Sequence, residues 1–110
     1  VPEDSMERDL RLEPEHGCWA RINWRIEMPV QTDFARLARQ IVASGFEARC
    51  DCDMLKVLRD RDGHEIILVP RTGRTQIRIS TLVPEDERPE AAERLFGRLE
   101  TCYHSLRQAP

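Results

Sequence analysis

Two apolar runs meet at Asp62-Gly63, and that junction constrains the fold more than any other feature of this 110-residue chain. The runs are Met54 to Asp60 and Glu65 to Pro70. Asp-Gly tolerates positive φ at both central positions of a type I′ turn, so the spacing predicts an antiparallel β-hairpin. With a two-residue turn there, Leu58 lies opposite Ile67 and Lys56 opposite Val69. The alternate set is Leu55 and Val57 with Ile66 and Leu68. Both sets are apolar, yet only one can face a core. One face of the hairpin is therefore expected to carry an apolar patch on the outside of the sheet.

The remaining elements come from periodicity. From Cys18 to Met28 the chain alternates: Ala20, Ile22, Trp24, Ile26 and Met28 point one way, Trp19, Arg21, Asn23, Arg25 and Glu27 the other. This period of two predicts a strand with one buried face. Pro29 ends it, and Thr32 or Asp33 is suited to cap a helix over 33–44 whose apolar face is Phe34, Leu37, Ala38, Ile41 and Val42. Gly45 suits the position just past its end. A second strand, Phe46 to Cys52, is expected to turn Phe46, Ala48, Cys50 and Cys52 inward. After the hairpin, Gly73 leads into a strand over Thr75 to Leu82. A last helix over 89–107 has the core stripe Ala92, Leu95, Phe96, Leu99, Cys102 and Leu106. Residues 1–17 read as an acidic arm preceding a single domain, 18–110, with Met6, Leu10 and Leu12 available to fold back over the sheet.

The predicted order is β-α-β-β-β-β-α. It is met by a two-layer α+β fold, an antiparallel five-stranded sheet with both helices on one face. This order resembles the repeat unit of the TATA-binding-protein fold in topology alone, across residues 18–107. Topology of this kind implies an arrangement and carries no function.

Charge is uneven along the chain. Residues 1–17 hold six acids and two arginines, residues 18–83 eleven bases and eight acids, and residues 84–110 six acids and four arginines. The net charge of −3 is not the footprint of a strong nucleic-acid binder, which is basic with clustered Lys and Arg. No apolar run approaches the ~18 residues of a membrane span. The acidic first fifteen residues do not read as a secretory leader.

Cys18, Cys50, Cys52 and Cys102 are expected to pack in the core as small hydrophobes. A zinc site and a disulfide are the other readings, but C-x-C without a second pair falls short of a zinc-ligand spacing. No metal, cofactor or catalytic motif is expected. There is no phosphate-binding glycine loop, no G-x-S-x-G and no H-E-x-x-H. His64 and the acids at Asp60 and Asp62 fit turn chemistry. Reduced thiols suggest the cytoplasm.

These features point to a non-enzymatic interaction module. Its sheet face would bind a protein partner or a second copy through Trp19, Arg21, Arg25, Met54, Lys56, Leu58, Ile67, Val69 and Arg78. The alternative is nucleic-acid binding by the same arginine-bearing face, with Arg49, Arg71 and Arg74 adding phosphate contacts.

Overall fold

The computed structural model describes residues 10–15 and 22–108. Among the described residues the sheet has six antiparallel strands: β1 (Glu13–Pro14), β2 (Asn23–Glu27), β3 (Glu47–Asp51), β4 (Lys56–Arg59), β5 (Glu65–Val69) and β6 (Arg74–Arg78). Their spatial order is β1-β2-β6-β5-β4-β3. Helix α1 (Phe34–Ala43) links β2 to β3, and a short 3-10 turn, Glu85–Glu87, leads into α2 (Arg88–Gln108). The predicted α+β class with an antiparallel sheet and two helices holds; the strand count is six, not five.

The extra strand comes from the segment expected to be an arm. Glu13 pairs with Arg25 and Pro14 with Trp24, so β1 lines the outer edge of β2. Leu10 is buried in the core cluster and Leu12 packs against it. By strand alternation both lie on the helix-covered side, opposite Met28 and Ile26. They extend the core there and do not cover the outer patch.

Local chemistry explains α1. The Asp33 carboxylate accepts the Arg36 N–H at 3.1 Å, which satisfies one orphan donor of the first turn. Phe34, Leu37, Ala38 and Ile41 are buried, as their spacing requires. Val42 closes the predicted stripe but stays 41% exposed. In α2 the buried residues are Ala91, Ala92, Leu95, Leu99, Cys102 and Tyr103, with Phe96 and Leu106 at the margin. Both helices lie over the sheet face formed by Trp24, Ile26, Leu58, Ile66, Leu68 and Ile77.

The central hairpin departs from the predicted type I′ turn. The Gly63 N–H reaches the Asp60 carbonyl at 3.1 Å, and the Asp60 N–H reaches the His64 carbonyl at 2.9 Å. Only Gly63 has positive φ, +87°; Asp62 does not. This is a three-residue loop, a type I turn followed by a left-handed glycine. The Asp60 side chain organises it: Oδ1 accepts the N–H groups of Asp62 (3.0 Å) and His64 (2.9 Å). One extra loop residue slips the register by one, so Leu58 pairs with Ile66 and Lys56 with Leu68. A one-residue slip exchanges the faces of one strand relative to the other. The inward set is Leu58, Ile66 and Leu68; the outward set is Val57, Ile67 and Val69.

A second irregularity sits on β3. Between Ala48 and Cys50 the pairing with β4 shifts by one residue, leaving Arg49 as a bulge. Beyond it Cys50 lies opposite Val57 and Asp51 opposite Lys56. Cys50 and Cys52 therefore turn away from the core that the unbroken alternation assigned them.

This packing makes two positions informative for stability. Thr75 is fully buried on the helix side of β6 and its hydroxyl has no hydrogen-bond partner. Thr75→Val is expected to stabilise the protein by about 1 kcal/mol, read from the urea midpoint, because it removes an unsatisfied buried hydroxyl at constant shape. Asp60→Ala is expected to cost about 2 kcal/mol in the same assay, since two loop N–H groups lose their acceptor.

Candidate interaction surface

Antiparallel register arranges the open face of the sheet in transverse rows. One row runs Glu47, Arg59, Glu65, Arg78, Asn23. The next runs Cys50, Val57, Ile67, Gln76, Arg25, Glu13. The third sets Val69 beside Arg74 and Glu27. Extending the β4–β5 register by one pair brings Leu55 beside Val69. The face thus divides: Leu55, Val57, Ile67 and Val69 form an apolar corner over β4 and β5, while β2 and β6 carry the polar half.

The charges on the polar rows are mutually compensated. Glu65 is nearly buried and receives Arg59 at 2.8 Å and Arg78 at 3.6 Å. Arg78 Nε also donates to Asn23 Oδ1 at 3.3 Å. Arg25 meets Glu13 at 3.2 Å, and Gln76 donates to Glu15 at 3.0 Å. Four arginines on this face (Arg25, Arg59, Arg74, Arg78) stand among five glutamates (Glu13, Glu15, Glu27, Glu47, Glu65). Such half-exposed pairs add little stability individually.

The predicted site residues divide by face. Ile67, Val69, Arg25 and Arg78 share the open side. Met54 sits at the β3–β4 tip, 58% exposed. Leu58, by contrast, is 1% exposed in the core on the opposite face. Lys56 is on that side too, buried, with Nζ 2.7 Å from Asp51. Together with Ala38, Val42 and Ala48 these two line an open groove of about 540 Å³ between α1 and the β3–β4 hairpin. Leu58 and Lys56 therefore cannot join one patch with Ile67 and Val69. Val57 and Leu55 take their places, and the signal for them is the Asp60-x-x-Gly63 spacing of a type I turn. Trp19 and Arg21 lie outside the described residues. Of the loop arginines, Arg49 is the bulge residue and Arg71 and Arg74 flank the β5–β6 turn, which Gly73 makes at φ +75°.

The cysteines also separate. Cys102 is buried on the inner side of α2, where burial pushes its thiol pKa up; a hydrogen bond with Ser44 and the charge of Arg98 offset part of that rise. Cys50 is half-buried and Cys52 exposed at the β3–β4 hairpin. Core packing therefore describes Cys102 and not the C-x-C pair; Cys18 lies outside the described residues.

Among the described residues, Asp60, Asp62 and His64 form a group of candidate metal ligands within 4.8 Å of one another. The donor atoms of two of them, Asp60 and His64, already have structural duties. Asp60 Oδ1 holds the loop N–H groups, its Oδ2 lies 3.6 Å from Arg98 Nη1, and His64 Nδ1 accepts the Ser80 N–H at 3.0 Å. No described helix is long and apolar enough to cross a membrane. No family model, curated protein or solved structure matches this chain.

The contrast among thiols has a direct readout. In a Cys18→Ser background at neutral pH, Cys50 and Cys52 are expected to react with an aromatic disulfide reagent at least tenfold faster than Cys102, which is both buried and held protonated. Because the Cys102 pKa is raised in the fold, its contribution to stability is complete below the ordinary thiol range. That contribution declines as pH climbs through the range, where the unfolded chain ionises first. Equal rates for all three thiols in the native protein would contradict this assignment.

Proposed function

We propose that this protein is a non-enzymatic interaction module that docks the apolar corner of its open sheet face onto another protein, in the first instance a second copy of itself. The observation that carries the reading is the cluster Leu55, Val57, Ile67 and Val69 on a face over which no described element packs. Leu55 is 36% exposed and Val57, Ile67 and Val69 are half-buried, so covering what remains open of each would contribute only part of the about 1.5–3 kcal/mol that full burial of an aliphatic side chain supplies. Apolar surface of this kind, rimmed by polar groups, is the usual mark of an interaction site.

Charge favours a second copy as the partner. A two-fold interface places the same patch on both sides, so it must be complementary to itself. The row Glu47, Arg59, Glu65, Arg78 alternates in sign and can meet its own reverse with opposite charges apposed. The same balance disfavours the nucleic-acid alternative. Phosphate binding draws on cations whose counterions can be released, and here Arg25, Arg59 and Arg78 already face carboxylates of their own chain.

The test is light scattering on a sizing column across a concentration series. The expected result is a reversible rise from one chain toward two. Val57→Lys with Ile67→Glu, an opposite-charge pair directly across two strands, is expected to abolish that rise and keep the melting temperature within a few degrees. Leu58→Asp, on the buried face, is expected to unfold the protein instead. A wild-type chain that stays monomeric throughout overturns self-association. Nucleic-acid binding that falls steeply with salt would replace this reading by the alternative.

A further inference from the structure

The C-x-C pair is the other feature of the open face that core packing leaves unexplained. Free cysteine is among the most buried residue types, yet Cys50 is only half-buried and Cys52 is exposed, two residues apart at one hairpin. Both point at one atom: Cys50 Sγ lies 3.7 Å and Cys52 Sγ 3.5 Å from the Leu55 carbonyl oxygen. The Cys52 backbone N–H donates to the same oxygen at 3.0 Å. Three donors thus converge on a carbonyl with two lone pairs. The thiols, the weakest donors of the three, are held near each other without being tightly bound.

We propose that Cys50 and Cys52 form a two-thiolate site for a soft monovalent cation, Cu(I). Thiolate sulfur selects soft ions such as Cu(I) and Zn(II) over hard ones, and the number of donors separates these two. Structural zinc takes four ligands in a tetrahedron. Among the described residues no group of three His, Cys, Asp or Glu ligand atoms that includes both sulfurs falls within 4.8 Å. Cys102 is buried under α2, and the neighbouring Asp51 is engaged by Lys56 at 2.7 Å. A pair of sulfurs without such a third partner fits an ion of low coordination number. Cys50 is in β3 and Cys52 follows directly on its last residue; positions i and i+2 of an extended segment lie about 6.6 Å apart along one face. Rotation about the side-chain bonds of half-buried Cys50 and exposed Cys52 brings the sulfurs within reach of a shared ion.

Binding is coordination without electron transfer. Each thiol gives its proton to solvent as its sulfur takes the metal, so affinity rises with pH. The site does not depend on the docking reading, since monomeric protein is sufficient for it.

The experiment titrates the reduced, full-length Cys18→Ser protein with Cu(I) supplied as its bicinchoninate complex in oxygen-free buffer. The expected result is withdrawal of one Cu(I) per chain from the chromophore. Cys50→Ser and Cys52→Ser are each expected to weaken this roughly 100-fold or more, because loss of either thiol removes the intramolecular second contact. Their circular dichroism and melting should match the parent, since both positions lie outside the core. Cys102→Ala is expected to leave copper binding unchanged. Absence of withdrawal, or binding retained in the Cys50→Ser, Cys52→Ser double variant, overturns the proposal. So does a tight zinc site in the unmodified chain that needs Cys18 or Cys102 as well, since that is a four-ligand centre.

Discussion

The Asp60 carboxylate is the interaction on which the rest of the sheet depends. Its side chain is only 4% exposed, and a carboxylate so placed must have its lone pairs satisfied. Two loop N–H groups and the Arg98 guanidinium do so. Closing the loop over Asp60 admits three residues between the strands instead of two, and that number sets the register of β4 against β5. Register in turn decides which aliphatics enter the core. Arg98 extends the same anchor to the helices: it stacks 4.5 Å over the Phe46 ring and donates to the Ser44 carbonyl at 3.1 Å. One arginine of α2 thereby ties together the end of α1, the start of β3 and the hairpin loop.

Where the sequence is periodic it is legible. The alternation of Trp24, Ile26 and Met28, the Phe34–Leu37–Ala38–Ile41 stripe and the Leu95–Leu99–Cys102 stripe all survive in the fold, because each reflects a single element meeting a single core. The faces of the hairpin are not legible from pattern, since β4 and β5 are apolar on both sides and carry no internal parity signal. Only loop chemistry distinguishes the two registers. Asp60 and Gly63 at the first and fourth positions of a type I turn hold that information, while Asp62-Gly63 read by itself suggests the shorter loop. Lys56 and Leu58 exchange faces with Val57 for that reason alone.

The strand β1 is illegible for a different reason. Glu13 and Pro14 have low strand propensity, and their pairing depends on what surrounds them. Leu10 and Leu12 find the helix-side core, and Glu13 and Glu15 find Arg25 and Gln76 on the open side. The acidic segment is thus drawn into the sheet by both faces at once, apolar side chains on one and hydrogen-bonding partners on the other. The proline at its outer edge also suits the position, since it offers no N–H for a further strand to accept.

Parity explains why unlike features share the open face. The loop at Gly63 and the bulge at Arg49 each insert one residue, and each inverts the facing of the residues C-terminal to it. Without the first, Val69 and Ile67 would share a side with Leu58; without the second, Cys50 and Cys52 would point toward α1. Together they place two thiols and four aliphatics at one corner of the sheet while keeping Leu58, Ile66 and Leu68 inside. A bulge on an edge strand also twists it away from flat pairing, and β3 adds Glu47, Arg49 and Asp51 along that edge. The edge is therefore defended against strand addition. The same irregularity that guards the backbone of β3 exposes its sulfurs, so removing the bulge would be expected to alter edge and thiol site together.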